Sequence, residues 1–302
     1  MGYAGARSHQ LIATWPQNRA SPVEGIPLTT ATINERRLDA TALEIKRFLN
    51  GSRAYFDAAK VALTIPRWRG LSLESSYWFS KAIDLGGDYT TSGGESGSAG
   101  AEPQWQYEAH RDLKAVSPFD QRHALLTRVV YETPELSGAP SWARRILGRW
   151  NVSGVVLLKG GTPFTVRSGS DGPGRGNVDG STSDRPNLLD PSVLGRSIDN
   201  PDTSVASLPA SAFGFFAPEE RLGSLGRNTF RKDGIRNVNA ALARRWSVRA
   251  DTVLELRAES INLFNTPQFA EPGRSLADPN FGRITNTLND GRTFRFRLQL
   301  EF

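Results

Sequence analysis

Eight amphipathic stretches of this 302-residue chain are joined by connections that run short and long in turn, so every long connection falls on the same side of any sheet the stretches build. The stretches lie near 1–13, 55–65, 71–80, 120–132, 149–159, 236–246, 253–263 and 293–302. Pro66-Arg67-Trp68-Arg69-Gly70 and Ser247-Val248-Arg249-Ala250-Asp251 read as tight hairpin connections, and 133–148 is of medium length. The others, roughly 14–53, 85–118, 167–235 and 265–291, are long and rich in Gly, Ser, Asp, Asn and Pro. A compact soluble domain seldom carries several loops of that length. A transmembrane β-barrel does, with short periplasmic turns and long extracellular loops. The pattern predicts an all-β, antiparallel transmembrane barrel segment of about eight strands. A soluble β-sandwich with ragged loops is the alternative that patterning alone leaves open.

The strands supply the two faces that such a barrel needs. At the end of the chain Phe294, Phe296, Leu298, Leu300 and Phe302 alternate with Arg295, Arg297, Gln299 and Glu301. That is the period-two signature of a strand with one oily and one charged face. Leu254, Leu256 and Ala258 alternate with Glu255, Arg257 and Glu259 in the same way. In 71–80, Leu71, Leu73, Tyr77 and Phe79 oppose Ser72, Glu74, Ser76 and Ser80, with Trp78 out of phase. The apolar faces fit a lipid belt and the polar faces a wet lumen. Glu255, Arg257, Glu259, Arg295, Arg297 and Glu301 are the lumen-facing candidates, expected to pair across neighbouring strands more than to line a substrate path. Trp68, Trp150 and Trp246 flank the short-turn side, where indole rings prefer the membrane interface. Tyr77 and Phe79 lie toward the other rim.

Several function classes fall away. No uninterrupted apolar run exceeds four residues (155–158 and 240–243), against the roughly 20 a spanning helix requires. With no Cys and only His9, His110 and His123, thiol chemistry, disulfides and a histidine-rich metal site are not expected. A net charge of +6 is too modest at this length to argue for nucleic acid. The loop 168–184 holds Gly172, Gly174, Gly176 and Gly180 with Asp171, Asp179 and Asp184, but lacks both the strand–helix context of a phosphate loop and the spacing of an EF-hand. It is expected to be a flexible outer loop, like 91–97. His110 and His123 with Asp112, Asp120 and Ser117 invite a hydrolase triad, yet no nucleophile-elbow pattern accompanies them. No catalytic, metal or cofactor residue is assigned, and the chain is read as a non-enzyme. Trp142-Ala143-Arg144-Arg145-Ile146-Leu147 is expected to form a short amphipathic turn in the periplasmic connection. Residues 1–25 lack a basic start, an apolar run and a cleavage site, so no signal peptide is expected there.

Beyond periodicity, several segments carry a resemblance. Ser75-Ser76-Tyr77-Trp78-Phe79-Ser80-Lys81-Ala82-Ile83-Asp84, Ser117-Pro118-Phe119-Asp120-Gln121-Arg122-His123, and Trp150-Asn151-Val152-Ser153-Gly154 followed by Gly161-Thr162-Pro163-Phe164-Thr165 are three of them. Leu225-Gly226-Arg227-Asn228-Thr229-Phe230-Arg231, the stretch Arg257-Ala258-Glu259-Ser260-Ile261-Asn262-Leu263-Phe264-Asn265-Thr266-Pro267-Gln268-Phe269, and Asn280-Phe281-Gly282-Arg283-Ile284 complete the set. In this order they resemble motifs of the TonB-dependent outer-membrane transporters, specifically the Oar-like branch with a carboxypeptidase-regulatory-like N-terminal domain. The matches run from about residue 55 to the end.

The resemblance implies a C-terminal barrel of about 22 strands with a plugged lumen, of which residues 1–302 supply roughly the last eight strands. Signal peptide, regulatory-like domain, TonB box and plug are expected to be absent from this sequence. It implies energised uptake of an unidentified ligand across the cell outer membrane, with TonB acting through that plug. The other expected partners are outer-membrane lipid and the barrel-assembly machinery, which would read Phe294, Phe296, Leu298, Leu300 and Phe302 as its signal. A non-transporting surface or adhesion protein is the alternative function.

Overall fold

The computed structural model describes residues 1–86, 102–196, 198 and 204–302. The glycine-rich stretch 91–97 therefore lies outside the described residues. Eight long strands form one sheet: β1 (Gly2–Gln17), β2 (Ile45–Trp68), β3 (Leu71–Asp84), β4 (His123–Glu132), β5 (Asn151–Lys159), β6 (Ile235–Arg249), β7 (Thr252–Ile261) and β8 (Thr293–Glu301). Each pairs antiparallel with its neighbours in sequence, so the sheet is a plain meander. Among the described residues β1 and β8 do not pair with each other, and the sheet is open.

Strand bounds differ from expectation mainly at the long-loop end. β2 starts ten residues earlier than periodicity predicts and spans 24 residues. A tilted strand crosses a bilayer in about 9–11 residues, so β2 continues well beyond the hydrocarbon. The first connection shrinks accordingly to 18–44. At the opposite end the β2–β3 turn is only Arg69 and Gly70, both with positive φ (49° and 87°), as a type I′ hairpin demands. A Cβ on Gly70 would stand 2.5 Å from the Glu132 carbonyl oxygen, so glycine is required there twice over.

Register sorts the side chains onto two faces. Directly opposed residues share a face, and one face collects Tyr77 with Leu125, Val129 with Leu73, Leu254 with Leu300, Leu256 with Leu298, and Ala258 with Phe296. The other collects Glu74 with Arg128, Arg245 with Glu255, and Glu259 with Arg295. Trp78 lies on this polar face, opposite Lys60. The Lys60 ammonium is 4.9 Å from its ring centroid, and the indole N–H donates to the Ser76 hydroxyl at 3.1 Å. A cation–π contact explains the aromatic residue that breaks the alternation.

Apolar side chains of the sheet stay exposed, Phe296 by 76% and Leu298 by 69%. In water this would be a large sticky patch; against acyl chains it is solvated. Among the described residues, the buried apolar cluster lies instead in the long connections: Phe164, Val166, Val193, Leu208, Phe213, Leu225, Phe230, Phe281 and Ile284. Phe213 touches Phe230 and Phe281 edge-on, with centroids 5.8 and 5.4 Å apart. Two small ladders, Pro163–Phe164 with Phe230–Arg231 and Asn187–Leu188 with Phe213–Gly214, stiffen the cluster. The loops thus form a packed cap. This corrects the expectation of a flexible outer loop at 168–184, since Val178, Asp179 and Asp184 are buried in the cap.

Candidate functional site: a loop cap pinned to the strand ends

The segments that looked distinctive in sequence meet where the cap joins the sheet. Asp84, the last residue of β3, forms an ion pair with Arg227, whose Nε also donates to the Leu113 carbonyl at 2.9 Å. Both side chains are almost fully buried. Asp120 pairs with Arg231 and accepts from the Ala82 N–H at 2.6 Å. The Arg231 Nη1 donates to the carbonyls of Asp120 and Gly161, each at 3.1 Å. Between the two pairs Asn228, held at φ 54°, donates from its side chain to the Val116 carbonyl at 2.8 Å and from its backbone to the Thr165 hydroxyl at 2.9 Å. Buried charges persist only when paired and hydrogen-bonded, so these contacts specify one docking geometry for the cap.

A second network ties the first connection to the rest. Arg19, 1% exposed, donates to the carbonyls of Pro103 (2.6 Å) and Gln104 (3.0 Å) and pairs with Asp179 at 2.7 Å. Gln104 is a hub. Its Oε1 accepts from the N–H groups of Arg185 and Gly223, and its own N–H donates to Asp112, which pairs with Arg185. Burial pushes the Asp179 carboxyl up to about 6 despite the Arg19 charge beside it. Burial pushes Asp184 further, to about 8; one oxygen accepts from the Asn177 N–H at 3.0 Å, and Oδ1 has no hydrogen-bond partner among the described residues. Burial also lowers the Arg167 guanidinium to about 10.

On the polar face of the sheet, Glu255 accepts from Arg245 Nε and Arg297 Nη2, both at 2.6 Å, bridging β6, β7 and β8. Arg257 Nε bonds Glu259 at 2.5 Å on the same strand. Arg295 faces Glu259 and Glu301 faces Val253 in register, and Glu301 accepts from the Gln299 amide at 3.1 Å. All six lumen-facing candidates thus share one face. Toward the short turns this face opens into a cavity of about 1150 Å³ lined by Arg67, Arg69, Glu132, Arg149, Arg245 and Arg297, among others.

The other expected residues fall as follows. Phe294, Phe296, Leu298 and Leu300 share the apolar face of β8, whose outer edge is unpaired among the described residues, and Phe302 follows it fully exposed. Trp150 and Trp246 meet edge-on at 6.1 Å. Trp68 does not join them; it stands on the distant β2, with the Arg69 guanidinium over its ring. His123 Nδ1 bonds the Tyr77 hydroxyl at 2.7 Å and His110 packs on Trp15, so both histidines that invited a triad are engaged with aromatic rings. Among the described residues no group of three or more His, Cys, Asp or Glu is placed to hold a metal. Sequence reasoning did not foresee the cap core, because Phe164, Phe213, Phe230 and Phe281 lie in separate irregular stretches that carry neither a helix nor a strand period.

A meander with an apolar outer face, a polar inner face, short turns at one end and long loops at the other is the architecture of an outer-membrane β-barrel protein. The model of the family described as outer membrane beta barrel domain matches residues 1–295, and the chain belongs to that family. Its location is therefore the outer membrane, which sets aside the soluble sandwich. Comparison with curated proteins gave no match.

Proposed function

We propose that the chain is the C-terminal part of the barrel of an Oar-like TonB-dependent receptor that takes up a ligand across the outer membrane. The observation that carries this reading is convergence. Asp84, Asp120, Thr165, Arg227, Asn228 and Arg231 come from four of the segments that resemble that family, and they bond to one another at a single junction. Segments scattered over 148 positions of sequence act as one structural unit that holds the extracellular cap over the strand ends. Phe281 and Ile284, from the last such segment, sit in the core of the same cap.

In this reading the cap presents the ligand-binding surface, the polar face lines the lumen, and a plug within the complete barrel is moved by TonB. The open edges of β1 and β8 supply the pairing sites for the remaining strands. The exposed apolar β8 strand serves as the signal for the assembly machinery, which templates strand on strand.

The test is the DNA immediately 5′ of the Met1 codon, translated in frame. The proposal expects an open frame encoding further amphipathic strands, a plug and a TonB box. A stop codon with a ribosome-binding site directly upstream of Met1 would overturn it and favour a surface protein without transport.

A further inference from the structure

The β4–β5 connection carries a seven-residue helix, α1 (Ser141–Leu147), on the short-turn side of the sheet. A helix this short is unstable alone, and its free C-terminal carbonyls need donors. They find them on the apolar face of the barrel. Trp246 Nε1 donates to the Arg145 carbonyl at 2.8 Å, and Trp150 Nε1 to that of Ile146 at 2.9 Å. Arg244 donates to the carbonyls of Arg144 (3.1 Å), Ile146 (3.0 Å) and Gly148.

Arg244 opposes Leu256 in register and so belongs to the face that meets lipid. A guanidinium there is costly. The helix covers it: Arg244 is 5% exposed, and its Cζ lies 5.1 Å from the Trp246 ring and 5.6 Å from the Trp150 ring. Only Ala143 of the helix is buried. Trp142, Ile146 and Leu147 are more than half exposed, and the Arg144 and Arg145 side chains are exposed as well.

We infer that α1 is an interfacial foot of the barrel, lying in the periplasmic leaflet and binding anionic glycerophospholipid. Continuity assigns the occupant, because the helix is bolted onto the lipid-facing surface just below Leu242 and level with Leu254 and Leu256, at the end where periplasmic turns lie. Trp142, Ile146 and Leu147 enter the acyl region, while Arg144 and Arg145 meet headgroup phosphates, the arrangement of an amphipathic interfacial helix. The helix carbonyls, not these side chains, make the anchoring bonds. Side-chain variants therefore leave the foot in place.

The chain has no Cys, so Trp142→Cys can be labelled uniquely with an environment-sensitive dye in outer membranes of expressing cells and in reconstituted vesicles. The dye is expected to shift to the blue and to be quenched by lipids brominated on their acyl chains. The same dye at Leu189→Cys, exposed in the cap, is expected to report water. In mixed vesicles of phosphatidylglycerol and phosphatidylcholine, the protein is expected to retain phosphatidylglycerol preferentially. The double variant Arg144→Gln/Arg145→Gln is expected to lower that preference on the order of tenfold. A water-exposed, unquenched dye at 142 would overturn the insertion, and an unchanged headgroup preference would overturn the phosphate contact.

Discussion

Arg227 reaches across 143 positions of sequence to close an ion pair with Asp84, the residue at which β3 ends and the cap begins. The pair is buried, and the guanidinium is held from its other side by the Leu113 carbonyl. Removing one partner strands the other charge, which costs about 3–5 kcal/mol at buried sites. Arg227→Ala is expected to leave the barrel assembled but to release the cap, making whole cells sensitive to externally added protease within 160–234. Cap resistance equal to the unaltered protein would contradict the assignment of this pair as the cap's anchor.

Alkaline pH should loosen the same cap. Burial raises the Asp184 carboxyl to about 8 from an unfolded value near 4, so the packed cap binds the proton more tightly than the open one. Stability from this group is full below about pH 4 and is lost as pH rises toward 8. Asp184→Asn keeps an acceptor for the Asn177 N–H and removes the titration. Protease resistance of the cap, followed from pH 5 to 9, is expected to fall in the unaltered protein and to flatten in the variant.

Gly70 offers a local test of the short-turn side. With φ at 87° and the Glu132 carbonyl oxygen 2.5 Å from a new Cβ, Gly70→Ala should destabilise the hairpin by about 1–3 kcal/mol. A lower temperature for the folded-to-unfolded band shift in detergent electrophoresis is the expected readout.

The final strand has its own prediction. If the exposed apolar face of β8 is what the assembly machinery reads, removing Phe302 together with Phe296→Ser should leave the chain in the periplasm or degraded. Normal outer-membrane levels of that variant would remove the assembly role from these residues.

How much of this was legible before the structure depended on period. Leu254, Leu256, Phe296 and Leu298 announce their face because a strand repeats every two residues. The hairpin is marked by the turn residues of 66–70, although its strand runs on to Trp68 and the turn itself is only Arg69 and Gly70. That Glu255, Arg257, Glu259, Arg295, Arg297 and Glu301 share one face was readable for the same reason. The sequence placed Trp78 on the polar side, where it lies, but not the reason, since its partner Lys60 is 18 positions away on another strand. The cap was invisible, since Phe164, Phe213, Phe230 and Phe281 converge through irregular backbone that leaves no period in sequence. Asp84 and Asp120 with Arg227 and Arg231 stood out as motif residues, but only folding shows that they bond to one another. Trp68, Trp150 and Trp246 looked equivalent in sequence, yet only the latter two hold the foot, because β5 and β6 are neighbours and β2 is not.

The two faces of the one sheet meet different solvents, lipid on one side and water on the other. The Cys-free background allows single cysteines at 294–301 to be scanned in outer membranes. Cysteines at 294, 296, 298 and 300 are predicted to resist a membrane-impermeant maleimide and to bear dyes quenched by brominated lipid. Those at 295, 297, 299 and 301 are predicted to react in water and escape quenching. Uniform labelling without alternation, or alternation in the opposite phase, would contradict the account.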